Sequence, residues 1–485
     1  MKQHDLTTRQ KDYAIFLPAI SSFFATYIGK QRHDSNYIPQ SRMPGQTTME
    51  NLNWLNAQES LFPYRWSLYS AGHADIDITK DSPKEDMIRN RDTNSFLLGD
   101  SGGFQIAKGV WEGDWANPTC PKAMKKRTQL LQWMDKYMDY GMVLDVPAWA
   151  YKLEKSRDKT GIRSYNDALK ATFINNDYFM KHRTGACKFL NVLQGENHAD
   201  ADHWYAQMKD YSDPKKYPGT HFNGWAMGGQ NMCDIHLVLK RLVILRHDGL
   251  LEKGIHDWMH FLGTSKLEWA TLLTDVQRAV RKYHNPNFTI SFDCASPFLA
   301  TANGQIYIDL ETDDRKKWVY RMQATADNKK YSSDSRSFRD AVLQDGIHPT
   351  FLDSPVSQQM KISDVCHYGP GDLNKLGKEG KTSWDSFSYA LMMCHNVWQH
   401  INAVQTANEQ YDAGKYPKML IQETFNKVAF KDIVEAIFAT DNKDESLAII
   451  EEFSRFWMSI IGTRGATGKK TVNASTSFGN LFEEA

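Results

Sequence analysis

The chain has 485 residues, of which 41% are hydrophobic and 24% are charged, and this composition excludes wholesale disorder. Lysine plus arginine (58) equals aspartate plus glutamate (58), so the net charge favours no class of partner, and only a local basic patch would indicate nucleic acid. The length exceeds the roughly 250 residues of one typical barrel. We therefore expect large insertions or a second region.

The six cysteines are scattered along the chain without paired spacing, which is typical of a reducing compartment rather than of a disulfide framework. We therefore expect a cytoplasmic protein. The apolar run at 14–28 contains Pro18 and two serines. It is also shorter than the roughly 20 residues that span a bilayer, so no membrane partner is expected.

Eight short apolar runs recur along the chain, separated by longer segments with helical periodicity. One such segment places Trp269, Leu272, Leu273, Val276 and Val280 on one helix face. Strands that alternate with helices eight times predict an α/β fold, a (β/α)8 TIM barrel, with a doubly wound open sheet as the alternative. The runs lie at 15–19, 66–69, 96–98, 142–145, 189–193, 224–227, 259–262 and 289–292.

The pattern changes beyond residue 304, and we expect three regions: the barrel at 1–304, an insertion after the eighth strand at 305–394, and a closing helix with a helical C-terminal region at 395–485. Within the last region the sequence predicts helices at 396–411 and 445–461 and a flexible tail from Gly462. The segment 311–340 mixes basic and aromatic residues. This mixture is typical of a solvated helix face, although a nucleic-acid groove needs the same combination. The basic residues are Arg315, Lys316, Lys317, Arg321, Lys329, Lys330, Arg336 and Arg339.

Polar side chains follow several of the predicted strands at their carboxyl ends. Asp100, Asp145 and Asp293 follow the third, fourth and eighth runs, and Gln194 follows the fifth. Barrel enzymes build their active sites at this edge, so we expect these side chains to converge. A single aspartate after a strand is more often a helix cap or a turn residue. Three aspartates at the strand ends of one barrel favour an active site.

Two carboxylates that face one site suit the cleavage of a glycosidic bond with retention, because one attacks the anomeric carbon while the other moves the proton. The remaining groups suit a flat heterocycle. A carboxylate accepts ring N–H and amino donors, an amide and backbone N–H groups address a carbonyl, and an aromatic ring such as Phe104 stacks on the face.

Six short motifs at these positions occur in the order found in the guanine transglycosylases, and the sequence resembles that family. The motifs are DSGGFQ at 100–105, LD at 144–145, VLQG at 192–195, AMGG at 226–229, HFLG at 260–263 with Lys266, and FDC at 292–294 followed by Pro297 and by NGQ at 303–305. The resemblance implies a (β/α)8 barrel that exchanges guanine for a 7-deazaguanine through a covalent aspartyl intermediate. It also implies that catalysis needs no cofactor.

The resemblance implies a role for each matching residue. Asp293 would be the nucleophile at the sugar C1′, and Asp100 the general acid and base. Lys266 would lie near the nucleic-acid backbone, with an ordinary lysine at a helix start as the alternative. The base would be read and enclosed by a larger set, namely Asp145, Gln194, the backbone of Gly228 and Gly229, Ser101 in support, and Phe104 and Leu262 on the two faces of the ring.

The sequence departs from the tRNA-modifying members of the family at two places. Where they carry an apolar-rich segment ending in Glu, residues 230–234 read QNMCD, and where they carry Pro-Thr-Arg and a second arginine, Pro297 is followed by FLATA. The opening LPAISSF at 17–23 is more similar to the 7-deazaguanine DNA-guanine transglycosylases of phages and bacterial modification islands. We also recognise no tRNA-binding PUA domain.

The resemblance therefore favours DNA, with a flipped or single-stranded guanine, and a free 7-deazaguanine base such as preQ0 as the partners. A partner protein that opens the duplex fits this interpretation, and the cytoplasm would be that of the host if a phage encodes the chain. Two alternatives stay open. One is a tRNA-guanine transglycosylase, and the other is a nucleic-acid-binding relative without turnover, against which the presence of both Asp100 and Asp293 argues.

The family's structural zinc site has a C-x-C-x-x-C arrangement and a later His-Asn pair, and here Asp364 and Gly369 replace two of the three cysteines. A closed zinc site needs four ligands. The remaining Cys366 and His395 would therefore need help from His367, Cys394 or Asp364. The alternative is a degenerate site held by packing, in which Cys366 and Cys394 are ordinary buried thiols.

Overall fold

The computed structural model describes residues 5–313, 318–339, 353–367, 383–422 and 427–464, with side chains as far as residue 460. Eight parallel strands form one sheet in the order β1-β8-β7-β6-β5-β4-β3-β2. The first and last strands of this order meet where the Ile20 N–H donates to the Leu68 carbonyl at 2.9 Å. The sheet is therefore a nearly closed barrel, which confirms the predicted (β/α)8 fold. The strands are β1 (Ile15–Pro18), β2 (Trp66–Ser70), β3 (Phe96–Asp100), β4 (Tyr140–Met142), β5 (Lys188–Leu193), β6 (Gly224–Met227), β7 (Trp258–Phe261) and β8 (Thr289–Cys294).

The fourth strand lies earlier than the run at 142–145 predicted. The buried run continues past the end of the ladder, but the Asp145 N–H donates to the Val143 carbonyl at 2.8 Å. The chain therefore turns back at Asp145, and hydrophobicity alone could not show where pairing with the neighbouring strands stops.

Helices lie between the strands and cover the outside of the barrel. Several begin at side chains that accept a backbone N–H from the first turn, namely Ser164, Asn197 and Asp234. The helices are α1 (Ser22–His33), α2 (Pro83–Arg89), α3 (Gly103–Ala107), α4 (Pro121–Tyr137), α5 (Glu154–Thr160), α6 (Tyr165–His182), α7 (His198–Met208), α8 (Ile235–His247), α9 (Leu267–Tyr283) and α10 (Ser296–Ala302). The five apolar residues predicted on one face of α9 are all buried.

Aromatic side chains fill the amino end of the barrel. Phe96, Tyr140 and Trp258 are the first residues of their strands, and the Phe96 and Trp258 rings stack with centroids 4.4 Å apart. The Tyr140 ring lies 5.3 Å from that of Trp258. This packing closes one end, so the carboxyl ends of the strands form the open rim.

The segment after the barrel is an antiparallel hairpin, β9 (Gln305–Glu311) and β10 (Val319–Ala324). The interpretation of 311–340 as a helix face is therefore wrong. Contacts between side chains on one face of the two strands stabilise the hairpin. The rings of Tyr307 and Tyr320 stack across the strands with centroids 5.1 Å apart. Arg321 pairs with Glu311 at 3.0 Å and Arg336 with Asp334 at 2.6 Å, while the basic residues at 315–317 lie outside the described residues.

The C-terminal region contains one long helix and several short elements. These are α11 (Ile362–Val365), α12 (Ser386–Asp412), β11 (Ile421–Gln422), β12 (Val428–Ala429), α13 (Phe430–Ala439), α14 (Lys443–Glu452) and α15 (Ser454–Arg464). The helix predicted at 396–411 begins ten residues earlier, at Ser386 directly after its cap Asp385, so the boundary expected between 394 and 395 falls within it. Within the described residues no helix has both the length and the apolar character needed to cross a membrane.

The helix predicted at 445–461 is two helices, α14 and α15, and the continuous interpretation is wrong. The chain turns at Phe453, so the Trp457 indole N–H reaches the Ile450 carbonyl at 2.7 Å, a contact across seven residues that a straight helix does not allow. Of the tail expected from Gly462, residues to Arg464 are helical and the rest lies outside the described residues.

Candidate active site

The carboxyl ends of the strands bring the predicted catalytic residues to one rim. Asp100 ends β3 and pairs in register with Ser70 at the end of β2, while Asp293 lies near the end of β8 beside Leu17 of β1. Since β1 and β2 are neighbours where the barrel closes, the two aspartates approach the same space from strands three positions apart.

Asp100 is partly buried and its carboxylate is held on both oxygens. The Ser70 hydroxyl donates to Oδ2 at 2.5 Å, and the Gly102 N–H lies 3.4 Å from Oδ1. Burial raises the pKa of this carboxyl, and the negative charge of Asp293 raises it further against the opposing effect of Ser70. Asp100 therefore binds a proton more readily than an ordinary aspartate.

Asp293 receives two hydrogen bonds on the same oxygen. The Gly263 N–H donates to Oδ1 at 2.9 Å, and Nε2 of His260 lies 3.1 Å from that atom. The side chain of Asp293 is 13% exposed, whereas His260 is fully buried. Both contacts are made by Oδ1, so neither of them occupies Oδ2.

Asp145 and Gln194 form a buried pair between the two catalytic candidates. The Gln194 Nε2 donates to Oδ2 of Asp145 at 2.7 Å, and both residues are at most 6% exposed. Burial raises the pKa of Asp145 to about 7, with a further contribution from the charge of Asp100. Within the described part of the chain the buried Gln194 Oε1 has no hydrogen-bond partner, which leaves an acceptor for a ligand.

The loop after β6 is held close to the loop after β5. The Asn231 side-chain amide donates to the carbonyls of Leu193, Gln194 and Gly228, at 3.1 to 3.3 Å. The Gly228 N–H is already bonded to the Leu193 carbonyl at 2.9 Å, so the backbone amide that can address a ligand is that of Gly229. Gly229 has φ +57°, and a Cβ there would lie 2.4 Å from the Gly195 carbonyl oxygen.

The two residues expected to stack on the base follow β3 and β7. Phe104 is partly buried on α3, with the Trp149 ring edge-on at 6.0 Å and the Lys108 amine 5.3 Å from its centroid. Leu262 is partly buried after β7, and its N–H donates to the Met227 carbonyl at 3.3 Å.

The two remaining predicted residues have simple placements. Ser101 is 1% exposed and directly precedes the turn into α3. Lys266 is the residue before the first turn of α9 and is partly buried. This position fits both an ordinary lysine at a helix start and a contact at the rim.

The segment that lacks the family's arginines is a buried helix, α10. Phe298 is 3% exposed and its ring meets those of Phe24 and Trp54 with centroids 6.1 and 6.4 Å away. Leu299 and Ala302 of the same helix are partly exposed, and α10 contains no arginine.

The residues named for zinc do not assemble in the described part of the chain, where no three His, Cys, Asp or Glu side chains come together as metal ligands. His395 uses both ring nitrogens, with Nδ1 2.7 Å from the Ser354 hydroxyl and Nε2 3.1 Å from the Tyr307 carbonyl. The Cys366 and Cys394 thiols donate to different carbonyls, those of Ala326 and Leu52. His367 and Asp364 are described and Gly369 is not, so zinc stays a prediction that the side-chain contacts do not support.

Three residues that contact the candidate site were not assigned a role from the sequence: Ser70, His260 and Asn231. Ser70 ends β2 as Asp100 ends β3, so a hydroxyl at the end of a predicted strand is the sequence signal that indicates it. His260 lies two residues after Trp258 on the same, inner face of β7. A histidine inside a predicted strand does not indicate a function until its hydrogen-bond partners are known.

The rim thus combines two carboxylates, Asp100 with a raised pKa and Asp293 with hydrogen bonds on one oxygen. Beside them lie the buried pair of Asp145 and Gln194 and the backbone of the glycines after β6. This arrangement suits nucleophilic attack, proton transfer and recognition of a planar polar ring. Comparison with protein-family models finds no match to this chain, and comparison with curated proteins finds none either.

Proposed function

We propose that the protein is a DNA-guanine transglycosylase that exchanges guanine in DNA for a 7-deazaguanine base, preQ0 or a relative. The observation that carries the proposal is the pair of carboxylates on one rim, Asp100 with a raised pKa and Asp293 with one oxygen fixed by two donors. Retaining exchange at a glycosidic carbon needs one carboxyl of each kind.

In the first half of the proposed reaction, Asp293 attacks C1′ of the deoxyguanosine as the bond from C1′ to N9 breaks. The bonding electrons go to the departing guanine, and protonated Asp100 delivers a proton to it. The products are free guanine, ionised Asp100 and an ester between Asp293 and the sugar. The raised pKa of Asp100 supports this role, because the acid must hold its proton until the base leaves.

In the second half, the incoming 7-deazaguanine occupies the vacated pocket and Asp100 removes its N9 proton. N9 then attacks C1′, and the Asp293 carboxylate leaves with the electrons of the ester bond. Both aspartates return to their starting states, so no oxidant or reductant is consumed.

The buried pair supports recognition of a guanine-like edge. With its nitrogen bonded to Asp145, Gln194 offers an acceptor oxygen, so these two residues suit the N1–H and 2-amino donors of the base. The Gly229 N–H then suits the O6 carbonyl. From the sequence we expected the Gln194 amide to donate to a carbonyl of the base. Because its nitrogen already donates to Asp145, we propose instead that its oxygen accepts from the base.

The choice of DNA over tRNA is supported by the buried, arginine-free helix α10 and by the resemblance of 17–23 to the DNA-modifying branch. A base in a duplex must leave the stack to reach a pocket of this kind, so a flipped or single-stranded guanine is the expected substrate.

The proposal is tested by supplying labelled preQ0 with DNA and with tRNA in parallel and measuring incorporation. We expect label in DNA. Label in tRNA alone would overturn the DNA assignment, and binding of nucleic acid without label in either would favour the relative that lacks turnover.

Asp293→Ala should abolish the covalent adduct between protein and nucleic acid, measured by denaturing electrophoresis, because the attacking oxygen is removed. Asp432→Ala, at an exposed aspartate on α13, is the control and should form the adduct normally. An adduct that persists in Asp293→Ala would place the nucleophile elsewhere.

A further inference from the structure

A column of hydrogen-bonded side chains runs along the inside of the barrel, from its closed end to Asp293. The Trp258 indole N–H donates to the Ser291 hydroxyl oxygen at 2.8 Å, and that oxygen lies 2.8 Å from Nδ1 of His260. Nε2 of the same ring lies 3.1 Å from Oδ1 of Asp293. Interior positions of such barrels are mostly branched aliphatic residues. A buried histidine and serine here therefore need a polar function.

The donors and acceptors in this column limit where its hydrogen atoms lie. The Trp258 indole nitrogen can only donate, so Ser291 accepts from it and has its own hydroxyl proton to give. Nδ1 of His260 is the acceptor that this proton reaches. The single proton of a neutral imidazole is then on Nε2, where it faces the carboxylate, whereas the opposite tautomer would set a lone pair against Oδ1.

We propose that His260 is a positioning residue that selects which oxygen of Asp293 attacks the sugar. His260 Nε2–H and Gly263 N–H both bind Oδ1, which prevents the carboxylate from turning about its bond to Cβ and presents Oδ2 to C1′. This inference rests on the proposed function, because it assumes that Asp293 is the nucleophile.

The same two donors act in both halves of the exchange without transferring a proton. When Oδ2 forms the ester bond, Oδ1 becomes its carbonyl oxygen and keeps both hydrogen bonds. When the second base displaces the ester, negative charge returns to the carboxylate, and the two N–H groups stabilise it at Oδ1. Loss of the His260 donor should therefore slow release of the sugar as well as its capture.

Two substitutions separate this role from simple packing. His260→Phe keeps a ring of similar size but has no donor, and His260→Gln places an amide N–H near the position of Nε2. We expect His260→Phe to lower the rate of adduct formation by about 100-fold, the loss typical of one preorganised donor. His260→Gln should recover at least about 10-fold of that loss, and circular dichroism and DNA binding verify that both variants are folded.

A packing role predicts the reverse order, because phenylalanine fills the buried space better than glutamine does. Equal rates for His260→Phe and the wild type, or a His260→Gln variant no faster than His260→Phe, would therefore overturn the inference. If the wild type itself forms no adduct with DNA or tRNA, the proposed function fails first and the positioning role fails with it.

The tautomer is measured without any substrate. In protein labelled with 15N-histidine, we expect the imidazole signals that disappear in His260→Gln to show a proton on Nε2 and none on Nδ1. A proton on Nδ1 would contradict the hydrogen-bond order of the column, whatever the activity. The matched variant Ser291→Ala removes the partner of Nδ1 and should shift the same signals.

Discussion

At the scale of single residues, the rim places three carboxyl groups, Asp100, Asp145 and Asp293, within electrostatic reach of one another. The charge of Asp293 raises the pKa of Asp100, and that of Asp100 raises the pKa of Asp145. Groups coupled in this way do not all ionise together near neutral pH. The raised pKa values of Asp100 and Asp145 favour retention of a proton on these two residues, which suits the proposed protonation of a departing base.

Recognition of the free base should depend on pH through Asp145. Its pKa is raised to about 7, and it must be ionised to accept the N–H donors of the base. We expect kcat/KM for the 7-deazaguanine to fall as the pH drops below about 7, since this parameter reports on the form that binds the base, which in the proposed exchange is the covalent adduct with ionised Asp100 beside Asp145. Asp145→Asn should be weaker at high pH and lack this acidic limb. A limb that persists in the variant would assign the titration to another group.

The same pKa has a consequence for stability with the opposite sign. Burial raises the folded-state pKa above the ordinary value of 3.8, so the folded protein binds this proton more tightly than the unfolded chain does. The contribution of Asp145 to the free energy of unfolding therefore falls as the pH rises from 3.8 to about 7 and is constant above it. In Asp145→Asn the free energy of unfolding should not show this decrease. Urea titrations between about pH 5 and pH 8 would measure the difference between the variant and the wild type.

The sequence predicted the aspartates and Gln194 because each follows a strand, a position that can be read from hydrophobic runs. It did not predict the contributions of Ser70 and His260. Their side chains act only through Asp100 and Asp293, and those contacts depend on the register between neighbouring strands. Hydrophobic runs locate the strands but do not show how neighbouring strands are aligned.

At the scale of elements, the turn from β3 into α3 lies directly against the loop after β4. A Cβ on Gly103 would lie 2.2 Å from the carbonyl oxygen of Asp145. Backbone cannot give way as a flexible side chain can, so this glycine sets how closely the Asp100 and Asp145 loops approach. The adjacent Gly102 has φ +76°, which allows the sharp start of α3.

Gly103→Ala should therefore move the Asp145 loop and lower activity by more than its effect on stability explains. We expect a loss of about 2 kcal/mol in the free energy of unfolding, as for an overpacked site, and a rise in KM for the base. Gly219→Ala is the control, because that glycine has φ +77° but no atom within 4 Å of the added Cβ. It should lose about 1 kcal/mol from backbone strain and keep its KM. An unchanged KM in Gly103→Ala would show that Asp145 does not depend on this contact.

The elements predicted least well are those whose boundaries depend on partners distant in the sequence. The hairpin β9–β10 exists because Tyr320 stacks on Tyr307 and on His400 of α12. Likewise α12 begins directly after Asp385, because that carboxylate accepts the Ser388 N–H and binds Arg42. Local periodicity predicted part of α12 and a charged segment at 311–340. It does not reveal contacts between residues that are far apart in the sequence, and those contacts set the boundaries of these elements.

At the scale of the whole molecule, the C-terminal helix α12 packs against the first strand of the barrel. His400 lies between Phe16 of β1 and Tyr320 of β10, with ring centroids 4.2 and 4.5 Å away. The thiol of Cys294, next to Asp293 in β8, lies 3.7 Å from Nε2 of the same histidine. The strand that carries the candidate nucleophile is thus supported from outside the barrel, so damage to the α12 contact should reach the active site.

A buried ion pair joins the same helix to the segment between α1 and β2. Arg42 binds both oxygens of Asp385 at 2.7 and 2.8 Å and also contacts the Ser388 hydroxyl. The two charged side chains are 3% and 0% exposed. Removing one member of such a pair leaves a buried charge without its partner. We therefore expect Arg42→Met to lower the free energy of unfolding by about 3 to 5 kcal/mol.

Arg278→Met is the matched control, because Arg278 also ties the barrel to α12 through Asp412, and it binds Asp12 as well, but with 31% of its side chain exposed. Solvent screening makes each exposed pair of this kind worth less than about 1 kcal/mol. Urea unfolding of the full chain should therefore separate the two variants clearly, and only Arg42→Met should also slow adduct formation at Asp293. Equal losses in both variants would mean that the buried pair does not hold α12 in place, and that the packing around His400 carries the contact alone.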